Sequence, residues 1–340
     1  MENNKTIIKQ ERNYSIDFLR GIAVISIIAI HTAWWSGQGY LPAWFSNLFL
    51  LIDVPVFIFI SGISFSYHES VLKTIKGIVI QWKKWIFFLG LYSAILIIFW
   101  RNSFHIKYLV NWIFYRFPAT NPLRVVSGSI WFIPMYMVVS ILCALIISTY
   151  KKSESNIAFK YILLLMLLIA GMCSNSSNFA FLNSTTAIFS FIFLLGYYAS
   201  SNKIQDIYKL IMYEIDTLIV IYLVFKSNGY KLESIQSLKF PATIYYMLVS
   251  FISIFLFWYL KDQIKIKKNN PINYLGKNAI FFYYSQGIGS SLLFLIRDKI
   301  TLSNIYIKFI ILLIINLIIS ILIGIVLNEL YTLLDKKLLK

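Results

Sequence analysis

Long apolar runs separated by short polar segments dominate the chain. Counting the runs long enough to cross a hydrocarbon core of roughly 30 Å predicts ten helices. They fall near residues 16–36, 47–67, 84–100, 130–149, 161–175, 184–199, 210–226, 241–260, 273–296 and 309–330, the fifth and sixth being the shortest. Basic residues then give the orientation. With both termini cytoplasmic, the inner segments hold 19 Lys and Arg and the outer segments 10, while Arg20 and Lys277 lie within helices. That asymmetry follows the positive-inside rule. The pattern predicts an all-α polytopic membrane protein of about ten transmembrane helices.

No connection is long enough for a second domain, so residues 1–340 are expected to form a single transmembrane domain with no appended soluble domain. The longest connection, Arg101 to Ser129, contains KYLVNWIFYRF, expected to lie along the interface as an amphipathic piece. The outer segment CSNSSNFAFLNS reads as a loop. A polar stretch precedes the first apolar run and no small-residue cleavage site follows it, so the first helix is expected to remain as a signal anchor.

Composition agrees with this picture. Hydrophobic residues make up 59% of the chain and charged residues only 13%, against about 25% charged in an ordinary globular protein. The net charge of +17 would suit nucleic acid, but there is no soluble basic domain to carry it. Membrane topology accounts for it better, and the expected surroundings are the bilayer, with no nucleic-acid partner. Cys143 and Cys173 lie in separate apolar runs, and His31, His68 and His105 are too scattered for a zinc site, so neither a disulfide framework nor a metal is expected.

The candidate chemistry begins in the first helix, RNYSIDFLRGIAVISIIAIHTAWW. Arg20 and His31 are eleven steps apart, which on a helix places them roughly 16 Å apart on nearly the same face. Ionisable groups inside a membrane helix point to a functional site. The plainer reading is that Arg20 snorkels to the headgroups and His31 ends the helix. Asp17, one turn before Arg20, is placed to orient it.

Further along, VPVFIFISGISFSY carries Ser61, Gly62, Ser64 and Ser66, a small-residue patch for close helix approach. Asp53, just before Pro55, is either a helix cap or a group for a substrate hydroxyl. Lys83 and Lys84 are either cytoplasmic anchors or partners for phosphates. On the outer side Arg116, Arg124 and Lys239 stand against the charge bias. Trp131 is placed either for sugar stacking or in the interfacial aromatic belt. The ninth helix, NYLGKNAIFFYYSQGIGSS, is the most polar. Lys277, Tyr284 and Ser291 recur every seven residues with Asn278 and Ser285 beside them, so this helix is expected inside the bundle.

These motifs, in this order, resemble acyltransferase family 3 of the membrane O-acyltransferases. The resemblance runs from Asp17-Phe18-Leu19-Arg20 and His31 through FIFISGISF, QWKKWIFF, SIWFIPMY, FLLGYYAS and LGKNAIFFYYSQ, nearly the whole chain. It implies a ten-helix domain that uses cytoplasmic acyl-CoA to acylate carbohydrate hydroxyls of envelope or secreted glycans. It further implies that Arg20 and His31, the family's Arg-x10-His pair, are needed for activity. Two departures stand out: Gln286 occupies a position that is His in many members, and no extracytoplasmic domain like that of longer members is expected. KFPATIYY is similar to the Lys-Tyr-Pro-Pro element of related membrane N-acetyltransferases, which keeps an amine acceptor open.

The residue reading and the resemblance converge. A neutral His is the usual base for a hydroxyl near pH 7, so His31 is expected to take the acceptor's proton, and a covalent acyl-His intermediate is also compatible. Arg20, Lys83, Lys84 and Lys277 are the expected contacts of the donor, acetyl-CoA by default. Asp53, Arg116, Arg124 and Lys239 are the acceptor candidates, with Asp17, Ser61, Trp131, Tyr284 and Gln286 in support. The expected location is the cytoplasmic membrane. The same polar ninth helix and outer cations also fit a flippase or exporter of a lipid-linked or polysaccharide precursor. The paired broken helices of many transporters are not visible in two matching halves.

Overall fold

The structure, a computed structural model, describes residues 12–101, 106–114, 122–151, 184–227 and 234–338, with 159, 161, 162, 164–166 and 169 between them. Its named elements are all helices. α1 spans Tyr14–His31 and runs on through a π turn at Thr32–Ser36. α2 (Ala43–Phe49), α3 (Val54–Phe65) and α4 (Val71–Phe99) follow. Then come α5 (Lys107–Ile113), α6 (Arg124–Ser129), α7 (Phe132–Lys151) and α8 (Ser184–Ser201). The last are α9 (Ile207–Ser227), α10 (Ile244–Gln263), α11 (Pro271–Lys277), α12 (Ala279–Leu292) and α13 (Ile305–Leu338).

Six of the described segments are long and apolar enough to cross a membrane: Tyr14–Ser36, Ala43–Phe65, Val71–Phe99, Arg124–Lys151, Ile244–Gln263 and Ile305–Lys337. α8 and α9 lie where the sixth and seventh helices are expected. Serines and threonines in α8, and Lys209, Glu214, Asp216 and Lys226 in α9, make them less apolar. The expected fifth helix falls mostly outside the described residues.

Local chemistry explains where the helices differ from the apolar runs. The second run divides because Asp53 caps α3, its Oδ1 accepting from the Val54 N–H at 2.7 Å, with Pro55 in the first turn. α4 starts at Val71 rather than near 84. The Ser70 hydroxyl accepts from the Lys73 N–H, and the amphipathic link ahead of the apolar run is already helical. The ninth helix breaks at Asn278, separating α11 from α12. Pro241 sits in a turn, and α10 begins after the Thr243 cap.

Two glycine pairs set the tightest packing. A Cβ on Gly62 would collide with the Phe193 carbonyl and one on Gly196 with that of Phe59, so α3 and α8 meet backbone to backbone. Gly21 and Gly276 do the same for α1 and α11, against the carbonyls of Ile272 and Asp17. α12 is buried at every position from Phe281 to Ser291, as its polar stripe demands. Asn316 of α13 donates to Thr32 at 2.8 Å and to Ser290 at 2.9 Å, tying α13 to the C-terminal ends of α1 and α12.

Candidate functional site

Arg20 opens onto a cavity of about 330 Å³ at the N-terminal end of α1. Its Nη2 donates to Ser64 Oγ at 2.8 Å, and its Nη1 approaches Asp17 Oδ1 at 3.4 Å. Asp17 is buried and also ion-paired with Arg12, so it holds Arg20 from one turn away, as the spacing predicts. The walls come one face at a time: Phe57, Ser61, Ser64, Phe65 and His68 along α3 and the turn after it, then Lys73, Gly77, Gln81 and Lys84 along α4. Phe132, Tyr136 and Ser140 of α7 and Lys277, Ile280 and Tyr283 beside α12 complete it.

The cations are unevenly used. Lys84 lines the cavity with its ammonium over the Phe281 and Tyr331 rings, 5.1 and 5.7 Å from their centroids. Lys277 lines it while exposed, whereas Lys83 is exposed and does not line it. Ser61 lines it too, its hydroxyl donating to the Phe57 carbonyl at 2.7 Å. The lining combines the cations Arg20, Lys73, Lys84 and Lys277 with the apolar rings of Phe57, Phe65 and Phe132.

A second cluster surrounds His31. The imidazole is half-buried, and its Nδ1 is buried with no hydrogen-bond partner among the described residues. The charges acting on it are Lys239 and Asp53. Asp53 is 2% exposed and does more than cap α3. Its Oδ2 accepts from Lys239 Nζ at 2.6 Å and from the Tyr246 hydroxyl at 2.8 Å. Lys239 is therefore a buried cation, not a surface one. Its ammonium stands 5.3 Å over Trp131 and 5.6 Å over Phe240, which meet edge to face at 4.7 Å. Such buried ion pairs hold only when each partner is fully engaged. The π turn immediately after His31 is a geometry frequent at functional sites.

Other sequence candidates fall elsewhere. Tyr284 is packed in an aromatic column with Phe88 at 4.8 Å and Trp85 at 5.4 Å and does not line the cavity. The seven-residue stripe is split, because the break at Asn278 puts Lys277 on another helix. Gln286 is fully buried and neither amide atom has a hydrogen-bond partner among the described residues. It sits one turn beyond Tyr283 on the cavity-lining face of α12. Arg124 is exposed at the start of α6, and Arg116 lies outside the described residues. Tyr246 and Tyr283 are not picked out by any sequence signal among 23 tyrosines. Among the described residues, no group of three or more His, Cys, Asp and Glu is placed to hold a metal ion.

Apolar helices around two polar clusters, one near each end of α1, define a multi-pass membrane protein. The profile of an acyltransferase domain matches residues 13–329, and the chain belongs to acyltransferase family 3. That makes it a membrane acyltransferase. No curated protein and no solved structure matches the chain.

Proposed function

We propose that the protein moves an acyl group, acetyl by default, from cytoplasmic acyl-CoA to a hydroxyl of a cell-envelope or secreted carbohydrate. The observation that carries this reading is the pair of sites on one helix: a cationic cavity at Arg20 and a buried histidine cluster eleven residues further on. Lys73, Lys84 and Lys277 receive the phosphates, and Arg20 holds the pantetheine arm. His31 takes the proton from the acceptor hydroxyl as its oxygen attacks the thioester carbon. The carbon–sulfur bond breaks, and the departing thiolate takes that proton to leave as free CoA. Asp53 and Lys239 hold each other and the charge around His31, so they position the base, and the Trp131–Phe240 edge offers an aromatic face to a sugar. In this reading residues 1–340 act as one domain in the cytoplasmic membrane, crossing it ten times with both termini inside.

The test is a His31→Ala protein that inserts normally. Acyl transfer is expected to fall by about 10²-fold or more, the usual contribution of a general base. Transfer at the normal rate would falsify the assignment. Mass spectrometry of envelope glycans from cells with and without the protein identifies the acceptor by the acyl mass that disappears.

A further inference from the structure

Arg20 and His31 lie at different levels of α1, and toward the His31 level the lining of the Arg20 cavity ends on aromatic residues, Phe57 on α3, Phe132 on α7 and Tyr283 on α12. Two hydrogen bonds fix the relative heights of α1 and α3. Arg20 donates to Ser64 near the inner end, and Ser26 Oγ donates to the Ile52 carbonyl at 2.6 Å near the outer end. Phe57 lies between these ties, and His31 lies five residues beyond Ser26, roughly 7 Å further out along the helix. α12 is fixed similarly. Gly276, just before it, touches α1 at Asp17, and Ser290 shares Asn316 with Thr32, so Tyr283 also lies between the levels of Arg20 and His31. Phe132 begins α7 directly after Trp131 of the outer cluster.

These three residues are the deepest lining of the Arg20 cavity on their elements, and their rings meet. Phe57 and Phe132 have centroids 6.2 Å apart, and Phe132 and Tyr283 are 5.7 Å apart. All three are at most 9% exposed. Tyr283 is further held by its hydroxyl, which donates to the Ser129 carbonyl.

Resting on the acyltransferase reading above, we propose that Phe57, Phe132 and Tyr283 form an aromatic septum that the acyl group of the donor has to pass to reach His31, and that this septum sets the size of the acyl group transferred. A two-carbon acyl group needs only a small displacement of rings that are not hydrogen-bonded, Phe57 and Phe132. Each added methylene needs more room in a wall packed like a protein interior. The donor class is therefore short-chain acyl thioesters, with discrimination that rises with chain length.

The experiment supplies membrane vesicles carrying the full chain with acetyl-, butyryl- or hexanoyl-CoA and counts by mass the acyl groups transferred to vesicle glycan. The unaltered protein is expected to use acetyl-CoA and to be roughly tenfold or more slower with butyryl-CoA, the discrimination a tight apolar site gives for one or two methylenes. Phe132→Ala and Phe57→Ala are each expected to raise the butyryl-to-acetyl ratio by about tenfold. Phe132→Leu removes less volume and is expected to shift the ratio less in the same direction, which serves if an alanine variant fails to insert. Acetyl transfer with a ratio that none of the inserted variants moves, or with no chain-length preference in the unaltered protein, overturns the septum. No transfer from any thioester by correctly inserted, unaltered protein overturns the acyltransferase reading, and the septum with it.

Discussion

Lys239 shows how one residue can change its meaning between sequence and structure. In the sequence it is a cation in an outer connection, and such cations are normally solvated. In the fold it is 6% exposed and bonded to Asp53, 186 positions away, a partner that no local pattern reveals. Removing one member of a buried pair strands the other. Lys239→Met is therefore expected to cost about 3–5 kcal/mol, seen as a lower midpoint in thermal unfolding of the detergent-solubilised protein. Asp53→Asn combined with Lys239→Met is expected to recover part of that loss. If the single and double variants unfold at the same temperature, the pair is not what holds this corner. Arg20 and His31 were legible because helical spacing alone puts them on one face, whereas Tyr246 and Tyr283 become visible only once helices distant in sequence are brought together. His68 offers a second test, at the cavity mouth in the turn between α3 and α4. Burial first, and then the neighbouring Lys73, lower its pKa below the ordinary 6.5, so it is neutral at pH 7. A bound polyanion favours the protonated imidazole, so donor binding takes up a proton. CoA is then expected to bind more tightly as pH falls through the window below 6.5. The phosphates' own titration is common to every variant. His68→Gln should therefore lose the part of the pH slope that His68 supplies, as read from CoA dissociation constants measured across that window.

Helices are placed by apolar content but shaped by their ends and by the residues at their crossings. Hydropathy located α1, α7, α8, α9 and α10 to within a few residues, because burial or lipid on all sides demands an apolar run, whereas α13 continues to Leu338, well past the run that ends near residue 330. It missed the start of α4, where an amphipathic segment continues the helix outside the apolar stretch. It also missed the break at Asn278, because a polar residue inside a polar helix gives no contrast. The glycines decide how closely the helices sit. A side chain at Gly276 meets the backbone of α1 rather than a movable rotamer, so α11 must shift as a unit. Gly276→Ala is expected to destabilise by about 1–3 kcal/mol and to weaken CoA binding, since Gly276 lines the cavity that Arg20 opens. Gly90 on α4 has open space around it, and Gly90→Ala is expected to change stability by no more than about 1 kcal/mol. Comparing the two in thermal unfolding and CoA titration separates a packing requirement from a general cost of altering glycine. Equal effects would remove the argument that α1 and α11 are held by close approach.

For the whole molecule, α1 works as an axis. Its most apolar stretch is 67% buried, as is that of the span made by α2 and α3, while those of α4 and α13 are only 28% buried. The central helices are thus shielded from lipid, and the peripheral ones present exposed residues such as Ile97, Ile98, Ile314 and Leu322 to it. Two polar sites stacked along this axis, with the proposed septum between them, would give the molecule a direction. In the proposed reaction the donor's phosphates, which cannot cross a hydrocarbon core, stay beside Lys73 and Lys277, on the side where α1 begins. The acceptor then has to arrive from the other end, where His31 and Trp131 lie. Vesicles reconstituted with the N-terminus facing outward are therefore expected to transfer acyl groups from external acyl-CoA to acceptor sealed inside. Vesicles of the opposite orientation should do so only after permeabilisation. An N-terminal tag accessible to protease sorts the two populations. Equal rates from external acyl-CoA in both intact populations would mean that donor and acceptor share one mouth, and the division of labour between the Arg20 cavity and the His31 cluster would have to be abandoned.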